Sequence, residues 1–103
     1  MHNLDLLAKK FGEASIRYCQ EHNFEKTNDW VLMKLQEEVG ELFQAYLMKT
    51  GRARNKGQSQ AELEDMFACE LADVFGMLMV LISETDIDIN AYLTKKWKFN
   101  PDL

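Results

Sequence analysis

Up to Phe99 the chain contains no proline, and its single proline is Pro101. Nothing across residues 1–98 alternates apolar and polar side chains as a half-buried strand does. Apolar residues recur instead at every third or fourth position, and that period predicts helices. Leu4, Leu7, Ala8, Phe11, Ser15, Tyr18 and His22 set out a first helix of about five turns. Asn28 or Thr27 can cap a second helix that runs through Trp30, Leu35, Val39, Leu42 and Tyr46 to a terminating Gly51. The polar, basic, glycine-punctuated stretch GRARNKGQSQ reads as a loop. Ser59 with Glu62 forms a capping-box signal for a third helix carrying Leu63, Phe67, Leu71, Val74, Leu78 and Ile82. TDID at 85–88 breaks that helix, and Asp88 can cap a short last one ending before Pro101. The expected fold is all-α, a four-helix bundle-like protomer with residues 1–103 as one domain.

A chain of 103 residues has material for one modest core. Its net charge of −5 makes a nucleic-acid polymer an unsuitable default partner. The longest strictly apolar run, MLMVLI at 77–82, is far shorter than a membrane span, and the N-terminal MHNLDLLAKK carries charges where a signal peptide is apolar. The expectation is a cytoplasmic protein with no membrane association. Cys19 and Cys69 have neither metal-ligand spacing nor a disulfide framework, and both are expected to be small core residues.

The stretch QEEVGEL at 36–42 crowds three glutamates beside apolar positions of the second helix. With Glu38 as origin, Glu41 falls near about 300° and Glu37 near about 260°, while Val31, Leu32, Leu35, Val39, Leu42 and Tyr46 span roughly 20° to 120°. Glu38 therefore borders the expected buried face, with Glu41 one turn away on the same side. Gly40 points elsewhere and is expected to serve close helix packing. In ELADVFGML, Glu70 and Asp73 are spaced i, i+3 on one face, again beside an apolar stripe of Phe67, Leu71, Val74 and Leu78. If the two helices pack antiparallel, four carboxylates converge. Convergence opposes ionisation unless a cation is shared, and oxygen-only donors suit Mg²⁺, or Mn²⁺ in its place, better than zinc. A di-iron bundle needs Glu-x-x-His pairs, which are absent. A solvated acidic face is the alternative reading of the same spacing.

KLQEEVGEL (34–42) followed by ELADVFGML (70–78) resembles the MazG-like all-α nucleotide pyrophosphohydrolases, whose signature is E-E-x-x-E, a gap, then E-x-x-D. The likeness covers roughly residues 28–100. It implies Mg²⁺-dependent hydrolysis of a nucleoside triphosphate, ribo or deoxy, to the monophosphate and pyrophosphate. By position it implies that Glu38, Glu41, Glu70 and Asp73 bind metal, and that Glu37 assists the attacking water or supports the ligands. Lys34 and Lys96 would contact phosphate, and Asn100 the nucleotide. Where many relatives carry a further basic residue at the end, this chain reads NPDL, which leaves Arg52, Arg54 and Lys56 as a substitute phosphate clamp or as a solvated connector.

Trp30 can stack on a base or serve as a core residue. The family assembles as dimers or dimers of dimers, and the third helix, apolar nearly all round, supports a homodimer or homotetramer here. Two other readings stand beside the leading one: a phosphoribosyl-ATP pyrophosphohydrolase-like enzyme, and a non-catalytic helical dimerisation or regulatory module on the same scaffold.

Overall fold

A computed structural model describes residues 2–102. Four helices, α1 (Asn3–Glu21), α2 (Asn28–Lys49), α3 (Gln60–Thr85) and α4 (Ile89–Trp97), make up its regular structure, and no strand occurs among the described residues. Local chemistry sets the boundaries. The Thr27 hydroxyl accepts from the Trp30 amide to open α2, and Gly51 at φ +76° receives the chain after it. Ser59 and Glu62 complete the expected capping box of α3. Asp86, in the left-handed region at φ 56°, ends α3, and two residues later the Asp88 carboxylate caps α4 at the Ala91 amide.

The helices form an open bundle with α3 at its centre. α2 lies antiparallel against it: Glu38 pairs with Glu70, the Tyr46 ring with Phe67, and Gln60 donates to the Lys49 carbonyl. α1 packs on another side of α3, and α4 packs on α1. The α1–α3 crossing is close. A Cβ on Gly12 would run into the Ser83 hydroxyl, and one on Gly76 would stand 3.1 Å from the Phe11 ring.

The small core contains Ala8, Cys19, Val31, Ala45, Leu63, Met79 and Val80. Several expectations about it are corrected here. On α2 the residues turned inward are Val31, Leu35, Leu42 and Ala45, whereas Leu32 (50% exposed), Val39 and Tyr46 lie on a second, outward face with Phe43. On α3 Met79 and Val80 are core, while Leu71 and Leu78 are exposed. Cys69 is exposed, and only Cys19 fills the core as expected. Gly40 meets no atom within 4 Å of a built Cβ, so close packing within this chain does not account for it.

The molecule measures 45 × 40 × 20 Å with a radius of gyration of 16.0 Å. A compact chain of this length would have a radius of about 13 Å. The excess reflects a slab of helices, not a closed bundle. An 18-residue window of α3 has mean hydropathy 1.9, yet 11% of that window is buried. By length and composition α3 could therefore cross a bilayer, contrary to what the short run at 77–82 implied.

Candidate functional site

The antiparallel α2–α3 pair brings Glu38, Glu41 and Glu70 together, with one carboxylate oxygen of each lying within 4.8 Å of the others. Glu38 and Glu41 share a face because three residues span most of a helical turn, and antiparallel packing sets Glu70 opposite them. Glu38 and Glu70 are half-buried, and Glu41 is exposed. One oxygen of Glu38 and one of Glu70, Oε2 in both, are fully covered and meet no donor while the carboxyls are ionised; a proton held by one carboxyl would bridge it to its neighbour. Burial first, then the charges of Glu41, Asp73 and Glu70, push the Glu38 carboxyl up to about 7, against a smaller opposing pull from Lys34. Burial also raises Glu70, and Glu41 and Asp73 add to the effect.

Buried oxygens without donors are unfavourable for the protein alone, and a cation would satisfy them. The donor set is entirely oxygen, open to solvent on the Glu41 side, and it fits a hard divalent ion of the Mg²⁺ type. Asp73 stands outside this trio but close enough to raise both buried members, and its side chain lines the adjoining cleft.

That cleft, about 460 Å³ in volume, has α3 as its floor, with α1 and α2 contributing the remaining lining. Lys34, Glu38 and Asp73 line its polar part, and Phe11, Tyr18 and Trp30 are among its apolar lining. Trp30 stacks near Tyr18, with ring centroids 6.3 Å apart and planes 28° from parallel, and also touches Phe24 at 5.2 Å. Its exposed edge thus belongs to the cleft, although the ring is partly packed.

Other expected site residues lie elsewhere. Glu37 is more than half exposed, does not join the trio, and faces the Lys34 ammonium at 3.6 Å. Lys96 is exposed on α4, which packs on α1, and the Asn100 side chain accepts from the Asp102 amide; neither lines the cleft. The Arg52–Lys56 segment follows the far end of α2, about 18 Å along the axis from Glu38. There Arg52 lies over the Tyr46 ring and donates to Thr50, so these residues do not form a phosphate clamp in the protomer's cleft.

Sequence reasoning missed the contribution of α1. Phe11, Ser15 and Tyr18 line the cleft, and Lys26 from the following turn is buried behind it. The small pair Gly12 and Ser15 within an otherwise bulky stripe was the available signal of a close crossing. Searches against protein-family models, curated proteins and solved structures matched nothing.

Proposed function

We propose that the chain is a Mg²⁺-dependent nucleotide pyrophosphohydrolase of the MazG-like kind, converting a nucleoside triphosphate to its monophosphate and pyrophosphate. The observation that carries this reading is the carboxylate trio, with two buried oxygens that meet no donor, one member of which, Glu38, lines the polar part of a cleft that also has aromatic walls. Glu38, Glu41 and Glu70 would hold Mg²⁺, or Mn²⁺ in its place, with Asp73 adjacent. When bound, the ion neutralises the triphosphate and acidifies water at the site. Lys34, at the cleft wall, would meet a phosphate oxygen, and Glu37 would fix Lys34 and orient the attacking water. Trp30 and Tyr18 would form an aromatic wall against which the base stacks, a contact tolerant of base identity. Lys96 and Asn100 have no part in the reaction within one protomer; in this reading they would act only across an interface.

The proposed assembly is a homodimer or homotetramer. Its support is the uncovered apolar face of α2 and α3, where Met33 (68% exposed), Phe43 (61% exposed), Leu71, Phe75 and Leu78 remain open to solvent. The net charge of −5 agrees with a cytoplasmic protein that acts on free nucleotides and not on a nucleic-acid polymer. The same apolar face favours the second reading, a non-catalytic dimerisation module. The test that separates them is release of pyrophosphate from a panel of NTPs and dNTPs with Mg²⁺ and with chelator. Orthophosphate as the direct product, turnover that survives chelator, or no turnover of any nucleotide would each sink the enzyme.

A further inference from the structure

Between α1 and the last turns of α3 lies a polar group that the proposed reaction does not use. Lys26 is nine-tenths buried and ion-paired to Glu84 near the C-terminal end of α3. Its ammonium also donates to the Ser15 hydroxyl at 2.6 Å, and that hydroxyl donates to the Gly12 carbonyl at 2.7 Å. Ser15 is 8% exposed, and what remains open is part of the cleft lining. Glu84 lies about 16 Å along α3 from Asp73, beyond Val80, the last lining residue of that helix, so the Lys26–Glu84 pair backs the cleft on the side away from the carboxylates.

A serine hydroxyl has one hydrogen and two lone pairs. Here Gly12 takes the hydrogen, and Lys26, which can only donate, takes one lone pair. Glu84 anchors Lys26 and keeps this polarity fixed. One lone pair is left, so toward a ligand Ser15 is an acceptor and not a donor. Phe11, Ala14, Met77 and Val80 of the cleft lining are apolar, and the nearest polar lining side chain along α1 is Tyr18, one turn on.

We propose that Ser15 is a specificity residue that favours nucleotides whose base presents an exocyclic amino group, such as cytosine or adenine, over their keto counterparts, uracil or hypoxanthine. The inference rests on reading the cleft as a nucleotide site. An amino group donates to the free lone pair. A carbonyl in that place sets lone pair against lone pair and loses its water without return, or must draw the hydroxyl away from Gly12. One neutral hydrogen bond gained or lost corresponds to about a three- to tenfold preference.

The experiment compares kcat/KM for dCTP against dUTP and for ATP against ITP, in wild type, Ser15→Ala and Ser15→Thr. Equilibrium binding of CMP against UMP and AMP against IMP runs in parallel without metal or turnover. The expected result is that the amino member leads in whichever pair is used better, that Ser15→Ala brings the ratio close to one, and that Ser15→Thr, which keeps the hydroxyl, retains it. A ratio is read because a general loss of activity or stability lowers both members alike. If Ser15→Ala does not fold, Ser15→Cys, a weak acceptor of similar size, takes its place. Equal use of both members, a keto preference set by the Tyr18 or Trp30 donors, or a preference that survives removal of the hydroxyl overturns the inference. Binding preference for CMP or AMP without any pyrophosphate release would leave Ser15 its role and remove the proposed reaction. Hydrolysis without preference would do the reverse.

Discussion

The two faces of α2 are built from similar material and have opposite fates. The inner face, Val31, Leu35, Leu42 and Ala45, packs on α3 although it includes Glu38. The outer face, Leu32, Val39 and Phe43, carries no charge yet remains uncovered, and Tyr46 at its edge meets Phe67 of α3 while staying partly exposed. Hydrophobic burial alone would favour the reverse, because covering a carboxylate is costly and covering Phe43 is favourable. The arrangement makes physical sense if each face lacks a component: a cation for the inner carboxylates, a second copy for the outer apolar side chains. The difference teaches that one chain can carry two unfavourable surfaces of different chemistry, which the proposed cation and the proposed second copy would relieve separately.

The largest effect should come from the inner face. Glu70→Gln keeps the shape of the side chain and removes one ligand charge. Pyrophosphate release should fall by more than roughly the 10–100-fold usual for groups that only support metal ligands. Activity within a few-fold of wild type would show that the inner carboxylates are not a catalytic metal site.

Next in size is a charge on the outer face. Phe43→Asp should convert an assembled protein into one with a mass near 12.0 kDa by light scattering. The carboxylate trio belongs to one protomer, so the variant should still bind Mg²⁺ in the absence of nucleotide. A wild-type protein of 12.0 kDa at micromolar concentration would break the comparison, leaving the outer face uncovered without a partner.

A smaller effect concerns pH. The Glu38 carboxyl is raised from 4.5 to about 7 in the folded protein, so the metal-free fold holds a proton that the unfolded chain has released. Its contribution therefore becomes less favourable as pH rises from about 4.5 through about 7, and is constant beyond both limits. Bound Mg²⁺ competes with that proton. The rise in melting temperature given by a fixed Mg²⁺ concentration should be larger at about pH 8 than at about pH 5.5, where protonation opposes binding. Melting curves with MgCl₂ and with EDTA at both values check this, and an equal shift at both would remove Glu38 from the ligand set.

What was legible in the sequence follows the same division. Thr27, Ser59, Glu62 and Asp88 each act on an amide three residues away, so their caps could be read from spacing alone. The convergence of Glu38, Glu41 and Glu70 needed one further assumption, the antiparallel packing of α2 and α3, which the short connection makes natural. Helical periodicity fixes angles between residues but not the rotation of the whole helix. For that reason Val39 and Leu71 were expected inside while Met79 and Val80 were not assigned to the core stripe. The cleft was illegible for another reason. Ser15 and Lys26 acquire their roles only where α1 crosses α3, and in the sequence Lys26 lies in a polar stretch indistinguishable from a solvated turn.

The smallest predicted effect is the most direct comparison of a buried carboxylate with an exposed one on the same helix. Burial raises the Glu70 carboxyl, so in metal-free protein it is unfavourable to ionise it beside Glu38 and Glu41 with little water around it. Glu70→Gln relieves that repulsion, and the amide can also donate to the neighbouring carboxylates. Without metal the variant should be more stable than wild type by about 1 kcal/mol, as relief of strain at functional sites often gives. Glu64, exposed on the first turns of α3, is the control: Glu64→Gln should remain within about 0.5 kcal/mol of wild type with or without Mg²⁺. Adding Mg²⁺ should reverse the order for Glu70, because wild type gains binding energy that the variant has lost. Denaturant titrations of the three proteins in EDTA and in MgCl₂ read all six values. If Glu70→Gln behaves as Glu64→Gln in both conditions, the buried position of Glu70 has no electrostatic consequence, and the inner face of α2 and α3 is an ordinary helix seam with an acidic margin.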